Sequence, residues 1–293
     1  MRVSSAFRYD QLSSYIGSTQ RRVQETQDRV TTGKRITTPS DDASGTRQLL
    51  GLSSLRAGIA SYTKNLDVAK GALSSTESAY SDIGDLVQQA QTLTIQATTS
   101  NVDQGTRNGI AAQIATLQSR LVSIGNSQGP DGRYLFGGQV TDAKPFSVAP
   151  DGSLVYGGNS TVPTVETGPG ESAKIGETGA TISDLFAKLT TLQDSLKTGD
   201  LTALSVNRLD ELKTASDGMI AARADVGRRM NGIEATRSDH ERRDSDFEAR
   251  ATDIGDVDYA TAVIDYTAAQ TAYQAALQVA SKGFSTGLMD FIR

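Results

Sequence analysis

The stretch Ile254–Arg293, IGDVDYATAVIDYTAAQTAYQAALQVASKGFSTGLMDFIR, decides how the rest of the chain is read. Alternating steps of four and three from Tyr259 meet Val263, Tyr266, Gln270, Tyr273, Leu277, Ala280 and Phe284. That spacing lays them along one narrow stripe of a helix, the stripe a coiled coil buries. Leu288 and Phe291 carry the apolar character onward. Chain termini usually fray and are polar, so an aromatic seam here needs a partner.

The other end of the chain repeats the pattern. Tyr9, Leu12, Ile16, Thr19, Val23, Thr26 and Val30 follow the same spacing, and Gly33 with Lys34 and Arg35 marks a helix C-terminus. Thr37–Ser40, TTPS, breaks the chain, because the residue before proline avoids helical geometry. Ser40 is the expected cap of the next helix, with Asp41 and Asp42 at its positive end. That helix carries the longest periodic run, from Leu52 and Leu55 through Ile59, Tyr62, Leu66 and Leu73 to Val87, Thr94 and Ala97. A turn at Asn101–Gly105 leads to a shorter helix with Ile110, Ile114, Leu117, Leu121 and Ile124.

From Gly125 to Ala180 the helical period disappears, and five of the six prolines fall there. PDGRYLFGGQ at Pro130 recurs as PDGSLVYGGN at Pro150, and each copy reads as a turn, a short strand and a glycine pair. TVPTVE at Thr161 is a further strand candidate. Helix resumes after Ser183 and stops at Gly199. A last long seam runs through Leu209, Leu212, Met219, Val226, Met230, Ile233, Phe247 and Ile254, interrupted by polar Ser216, Arg223, Arg237, His240 and Asp244. Gly255 and Asp256 are expected to end that helix and cap the next, because Tyr259 breaks the register set by Ile254.

Composition agrees with seams rather than with a thick core. The 293 residues are 37% hydrophobic and 5% aromatic, without tryptophan, which suits an elongated bundle. A net charge of −5 and a pI near 5.0 point away from nucleic acid and anionic membranes. Arg21-Arg22, Arg228-Arg229 and Arg242-Arg243 read as solvated helix faces. Cysteine is absent, which excludes disulfides and thiolate chemistry. No run of about 18 apolar residues spans a membrane. The start MRVSSAFRYDQLSSYIGS lacks the apolar core of a secretory signal, so the chain either stays inside or leaves by a route that reads no such signal.

No motif carries chemistry. Gly125–Gly129, GNSQG, matches the G-x-S-x-G pattern, but that elbow needs a strand before the serine and a helix after it; here the order is reversed. His240 lies on a polar stretch of a seam and reads as structural or solvated. Asp253, Asp256 and Asp258 lack the other ligands of a calcium loop, and Gly137-Gly138 and Gly157-Gly158 are followed by no Gly-Lys-Ser/Thr. Catalytic, metal and cofactor-binding residues are therefore expected to be none.

Several segments resemble bacterial flagellins and hook-associated proteins. TGKRITTPSDDASG (Thr32–Gly45) looks like that family's N-terminal signature and DVDYATAV (Asp256–Val263) like its C-terminal counterpart. GRYLFGG (Gly132–Gly138), TDAKPF (Thr141–Phe146), the opening MRVS and the final MDFIR are similar to the junction branch in particular. The resemblance implies an axial flagellar subunit, exported unfolded by the flagellar type III route and assembled outside the cell. It also implies terminal helices that pair and line an inner tube, surrounded by a second helical layer and an outward-facing β domain.

The expected fold is mainly α: an elongated helical bundle or coiled coil built by the N- and C-terminal segments, with a small β-rich insertion at the tip. Residues 1–40 with 255–293 form the paired terminal helices, 41–128 with 181–254 the bundle, and 129–180 the insertion. The expected function is a structural adaptor joining hook to filament. A flagellin proper and an intracellular coiled-coil scaffold are the alternatives. The assembly interface is expected at Tyr9, Leu12, Ile16, Val23, Val30, Tyr259, Val263, Tyr266, Tyr273, Leu277, Phe284, Leu288 and Phe291. Implied partners are further copies in a ring or layer, the adjoining hook-associated junction protein, flagellin and an export chaperone; nucleic acid and membrane are not among them. The expected location is extracellular, at the hook–filament junction of the flagellum. Both termini are expected to be disordered in the free subunit and to fold on assembly.

Overall fold

Heptad spacing without interior proline produces long helices, and the computed structural model, which describes residues 2–99 and 102–289, contains six. They are α1 (Arg2–Thr32), α2 (Ala43–Thr98), α3 (Gln104–Gly125), α4 (Ala180–Thr198), α5 (Leu209–Gly255) and α6 (Tyr259–Met289). A π-helical turn, Ala203–Arg208, leads into α5. The chain is mainly α, and its strands are confined to the segment between α3 and α4 among the described residues. It divides into two compact units, residues 1–58 with 242–293 and residues 59–241.

The second unit holds the large-residue core. Leu66, Leu73, Ile83, Leu86 and Val87 of α2 are buried with Ile110, Ile114 and Leu121 of α3, with Ile182, Leu185, Leu189, Leu192 and Leu196 of α4, and with Leu212, Met219, Val226 and Ile233 of α5. All but Leu86 and Ile182 are seam positions of the periodic runs, so the amphipathic stripe of each helix finds the others. α3 begins with Asp103, whose side chain accepts the Thr106 amide at 2.6 Å, and α4 ends at Gly199, which takes φ +72°. α4 starts at Ala180, ahead of Ser183.

Two antiparallel hairpins make the insertion: β1 (Phe146–Val148) with β2 (Leu154–Tyr156), and β3 (Thr164–Gly168) with β4 (Glu171–Lys174). The internal repeat is half kept. Asp131 and Asp151 each accept the amide two residues on (Arg133 at 3.2 Å, Ser153 at 2.9 Å), but only the second copy makes a strand. The first copy drops Leu135 and Phe136 into the core instead, with Phe136 edge-on to Tyr80 at 5.6 Å. Burial replaces the expected strand there.

Polar side chains tie α2 to α5 in this unit. Arg223 pairs with Glu77 at 2.6 Å, Lys70 with Glu234 at 3.0 Å, and Arg237 with Asp67 at 2.7 Å. Two polar interruptions of the last seam, Arg223 and Arg237, are therefore partners in interhelical ion pairs. Arg229 corrects the solvated-face reading of the arginine pairs. It is mostly buried and bonds Glu177 at 2.5 Å and, through Nε, Asp225 at 2.6 Å. Burial raises the Glu177 carboxyl against the pull of that guanidinium.

Candidate assembly interface

The first unit is built on α1 and α6, which pack against each other. On α1 the half-buried or buried line is Leu12, Ile16, Thr19, Val23, Thr26 and Val30, spaced as expected. Thr26 stays buried because its hydroxyl donates to the Arg22 carbonyl at 2.8 Å. On α6 the buried positions are Ala262, Ala269, Ala276 and Ala280, with Tyr266 and Tyr273 half-buried between them. The contact stripe thus keeps Tyr266, Tyr273 and Ala280 of the traced seam and replaces Val263, Gln270 and Leu277 by the alanine one residue before each. Alanine at these positions lets the helix backbones approach closely, which a leucine or tyrosine there would prevent.

The large apolar residues consequently flank the contact. Tyr259 is 62% exposed, Val263 37% and Leu277 43%. At 100° per residue these three lie beside Tyr266 and Tyr273 on one continuous face. Ile264 and Val279 of α6 and Phe7 and Tyr15 of α1 are exposed as well. Tyr9, Phe284, Leu288 and Phe291 lie outside the residues whose side chains are described. Of the thirteen expected interface residues, Leu12, Ile16, Val23, Val30, Tyr266 and Tyr273 are half-buried along the α1–α6 pair, and Tyr259, Val263 and Leu277 lie on its exposed flank. The alanine stripe went unread because alanine is a good helix former with little apolar weight; its seven-residue recurrence was the available signal.

The two signature segments meet at the base of this pair. Gly33 takes φ +69° and ends α1, so the chain can turn sharply there. Lys34 then faces Asp256 in an antiparallel bridge: the Arg35 amide donates to the Gly255 carbonyl at 2.7 Å and the Val257 amide to the Gly33 carbonyl at 3.0 Å. Lys34 Nζ is ion-paired with Asp256. The Arg35 guanidinium donates to the Ile254 carbonyl at 2.8 Å and to Asp42 at 3.1 Å.

The helix caps differ from the expected ones by a residue or two. Asp42, not Ser40, caps α2 by accepting the Gly45 amide at 2.8 Å. Asp41 instead closes the preceding turn, accepting the amides of Thr38 at 2.8 Å and Thr37 at 3.0 Å. Asp258, not Asp256, caps α6 through the Ala260 amide at 3.1 Å and the Thr261 hydroxyl at 2.7 Å. Asp256 is committed to Lys34, which leaves the cap to its neighbour. These bonds favour the charged forms: Asp41 is held well below the ordinary carboxylate range by the Thr38 and Thr37 amides. Asp42 is lowered chiefly by the Gly45 amide and then by Arg35, and Asp258 chiefly by the Thr261 hydroxyl.

The remaining polar residues are structural in placement. Ser127 Oγ is buried with no hydrogen-bond partner, so no base reaches it. His240 is buried, bonded through Nε2 to the Thr167 carbonyl at 2.7 Å and stacked on Tyr62. Among the described residues no cluster of three His, Cys, Asp or Glu side chains is placed to hold a metal ion. None of their helices is long and apolar enough to cross a membrane.

Known proteins are similar to this chain along most of its length. The bacterial flagellin N-terminal helical region matches residues 3–141, and the bacterial flagellin C-terminal helical region matches residues 209–288. Flagellar hook-associated protein 3 of Salmonella typhimurium is 26% identical over 94% of each chain, and that of Escherichia coli 28% identical over the same share. The crystal structure of hook-associated protein-3 from Legionella pneumophila superposes with a TM-score of 0.63 at 13% identity, covering 69% of this chain and 98% of that one; it supports the fold. With both flagellin helical regions in place and near-full-length likeness to hook-associated proteins 3, the chain belongs to the flagellin superfamily, in its hook-associated protein 3 branch.

Proposed function

We propose that this chain is a structural subunit of the bacterial flagellum, an adaptor that joins the hook to the flagellin filament and performs no catalysis. The observation that carries the reading is the likeness to hook-associated proteins 3 over 94% of both chains, with the flagellin regions at its two ends. The surface of the α1–α6 pair supports it. A soluble monomer rarely leaves a line of large apolar side chains such as Tyr259, Val263 and Leu277 in water, and a packed lattice of subunits would cover it.

On this reading the partners are further copies in a ring or layer, the adjoining hook-associated protein on one side and flagellin on the other. The subunit leaves the cell unfolded through the flagellar type III route, and an export chaperone covers the apolar C-terminal helix beforehand. The terminal helices then order against each other and their neighbours, because the alanine seam alone buries little apolar area to offset the entropy of fixing them. Immunogold labelling of isolated flagella, with antibody against residues 140–180, tests the function. A single cluster where hook meets filament is expected. Label along the whole filament would make the chain a flagellin, and label confined to the cytoplasm would make it a scaffold.

A further inference from the structure

The alanine stripe of α6 poses a problem of register. Ala262, Ala269 and Ala276 recur every seven residues, so sliding α6 by one heptad along α1 replaces each alanine with the next. The facing line on α1, Ile16 and Val23 with Thr19 and Thr26, repeats at the same interval with similar side chains. Such a seam binds without stating where along its length to bind. Something outside it must fix the register.

We infer that the crossing of Gly33–Arg35 with Gly255–Val257 is that device: a latch that holds the C-terminal end of α1 to the N-terminal end of α6 and stays closed when the helices beyond it open. Its bonds are of a different kind from the seam's. Two backbone hydrogen bonds, at 2.7 and 3.0 Å, flank the Lys34–Asp256 ion pair. Arg35 ties three chain segments at once. Its guanidinium occupies the Ile254 carbonyl at the C-terminal end of α5, where carbonyls lack an intrahelical partner, and reaches the α2 cap Asp42. Gly255 is buried against Leu49 of α2, where an added Cβ would sit 3.3 Å from the leucine methyl; the small residue lets the crossing seat on that helix. The latch is thus fastened to α2 and α5, whereas α1 and α6 beyond it pack against each other.

The inference draws on the proposed function only for the statement that α1 and α6 open in the free subunit, and amide exchange on the full-length chain separates the two. The amides of Arg35 and Val257 are expected to exchange at least about tenfold more slowly than those of Val23 and Ala269, after correction for intrinsic rates. Lys34→Asp places like charges opposite each other and is expected to bring Arg35 and Val257 to the rate of the seam. Adding Asp256→Lys restores the opposite-charge pair and should restore the protection. Equal rates at latch and seam in the unaltered chain would overturn the inference, because a latch that opens with the pair cannot set its register. Unchanged protection in Lys34→Asp would overturn it too. The absolute rates at Val23 and Ala269 report separately on ordering during assembly.

Discussion

The α1–α6 pair and the bundle of residues 59–241 use the same heptad grammar to opposite ends. In the bundle the large side chains point inward: Leu73, Ile83, Ile114, Leu189 and Leu192 are fully buried. In the pair the buried positions of α6 are alanines, with larger residues such as Ile16, Val23 and Tyr266 only half-buried, and Tyr259, Val263 and Leu277 stay exposed. A fully buried leucine or isoleucine contributes about 1.5–3 kcal/mol and an alanine far less, so burial holds the bundle together more strongly than the pair. On the proposed function, the difference separates a part that folds for itself from a part completed by its neighbours.

That contrast can be broken in several places. Phe136→Ala removes a fully buried ring from the bundle and its edge contact with Tyr80, and should lower unfolding stability of the full chain by about 3–5 kcal/mol in a denaturant titration. Ala269→Leu overfills the close contact of α1 with α6, at a local cost of about 1–3 kcal/mol. It should block incorporation of the variant into flagella, where the two helices order, while leaving the bundle's unfolding midpoint in place. A shifted midpoint would mean the pair is part of the cooperative core. Leu277→Asp lies on the open flank, so it should change monomer stability by no more than about 0.5 kcal/mol. Its effect should appear only in assembly, as hooks that fail to incorporate the variant.

Acid is expected to act most gently, and on the caps of α2 and α6. Asp42 and Asp258 ionise more readily in the folded chain than in the unfolded one. Their contribution is therefore complete above the ordinary carboxylate range and drains away as the pH falls through it towards the folded value. Amide protection at Gly45 and Ala260 should fall on that descent before the bundle loses helicity by circular dichroism. Glu177 carries the opposite sign, because burial raises it, so its protonation opposes loss of the bundle in the same range.

The periodic runs made most of the helices legible, and Gly33 and Gly199 announced two of their ends through the left-handed turn that glycine takes freely. The insertion was legible as a change of chemistry but not in detail. Tyr134–Phe136 has the composition of a strand, and only the tertiary core shows that Leu135 and Phe136 serve better as buried loop residues. The contact face of α6 was obscured for a related reason. Hydrophobic periodicity reports where large apolar residues cluster, without stating whether they meet their own chain or another one. Tyr259, Val263 and Leu277 were visible as a stripe, but the alanines beside them decide which face meets α1. The latch was less visible still, because Arg35 and Ile254 are 219 positions apart.

The claim that the α6 flank is completed by neighbours in the flagellum can be measured directly, because the chain contains no cysteine. Val263→Cys provides a single thiol on that flank, and maleimide labelling compares the free subunit with isolated flagella carrying the variant. Rapid labelling of the free subunit and protection in flagella is the predicted result. Equal labelling in both would contradict the account, leaving α6 as exposed in the assembly as in the lone chain.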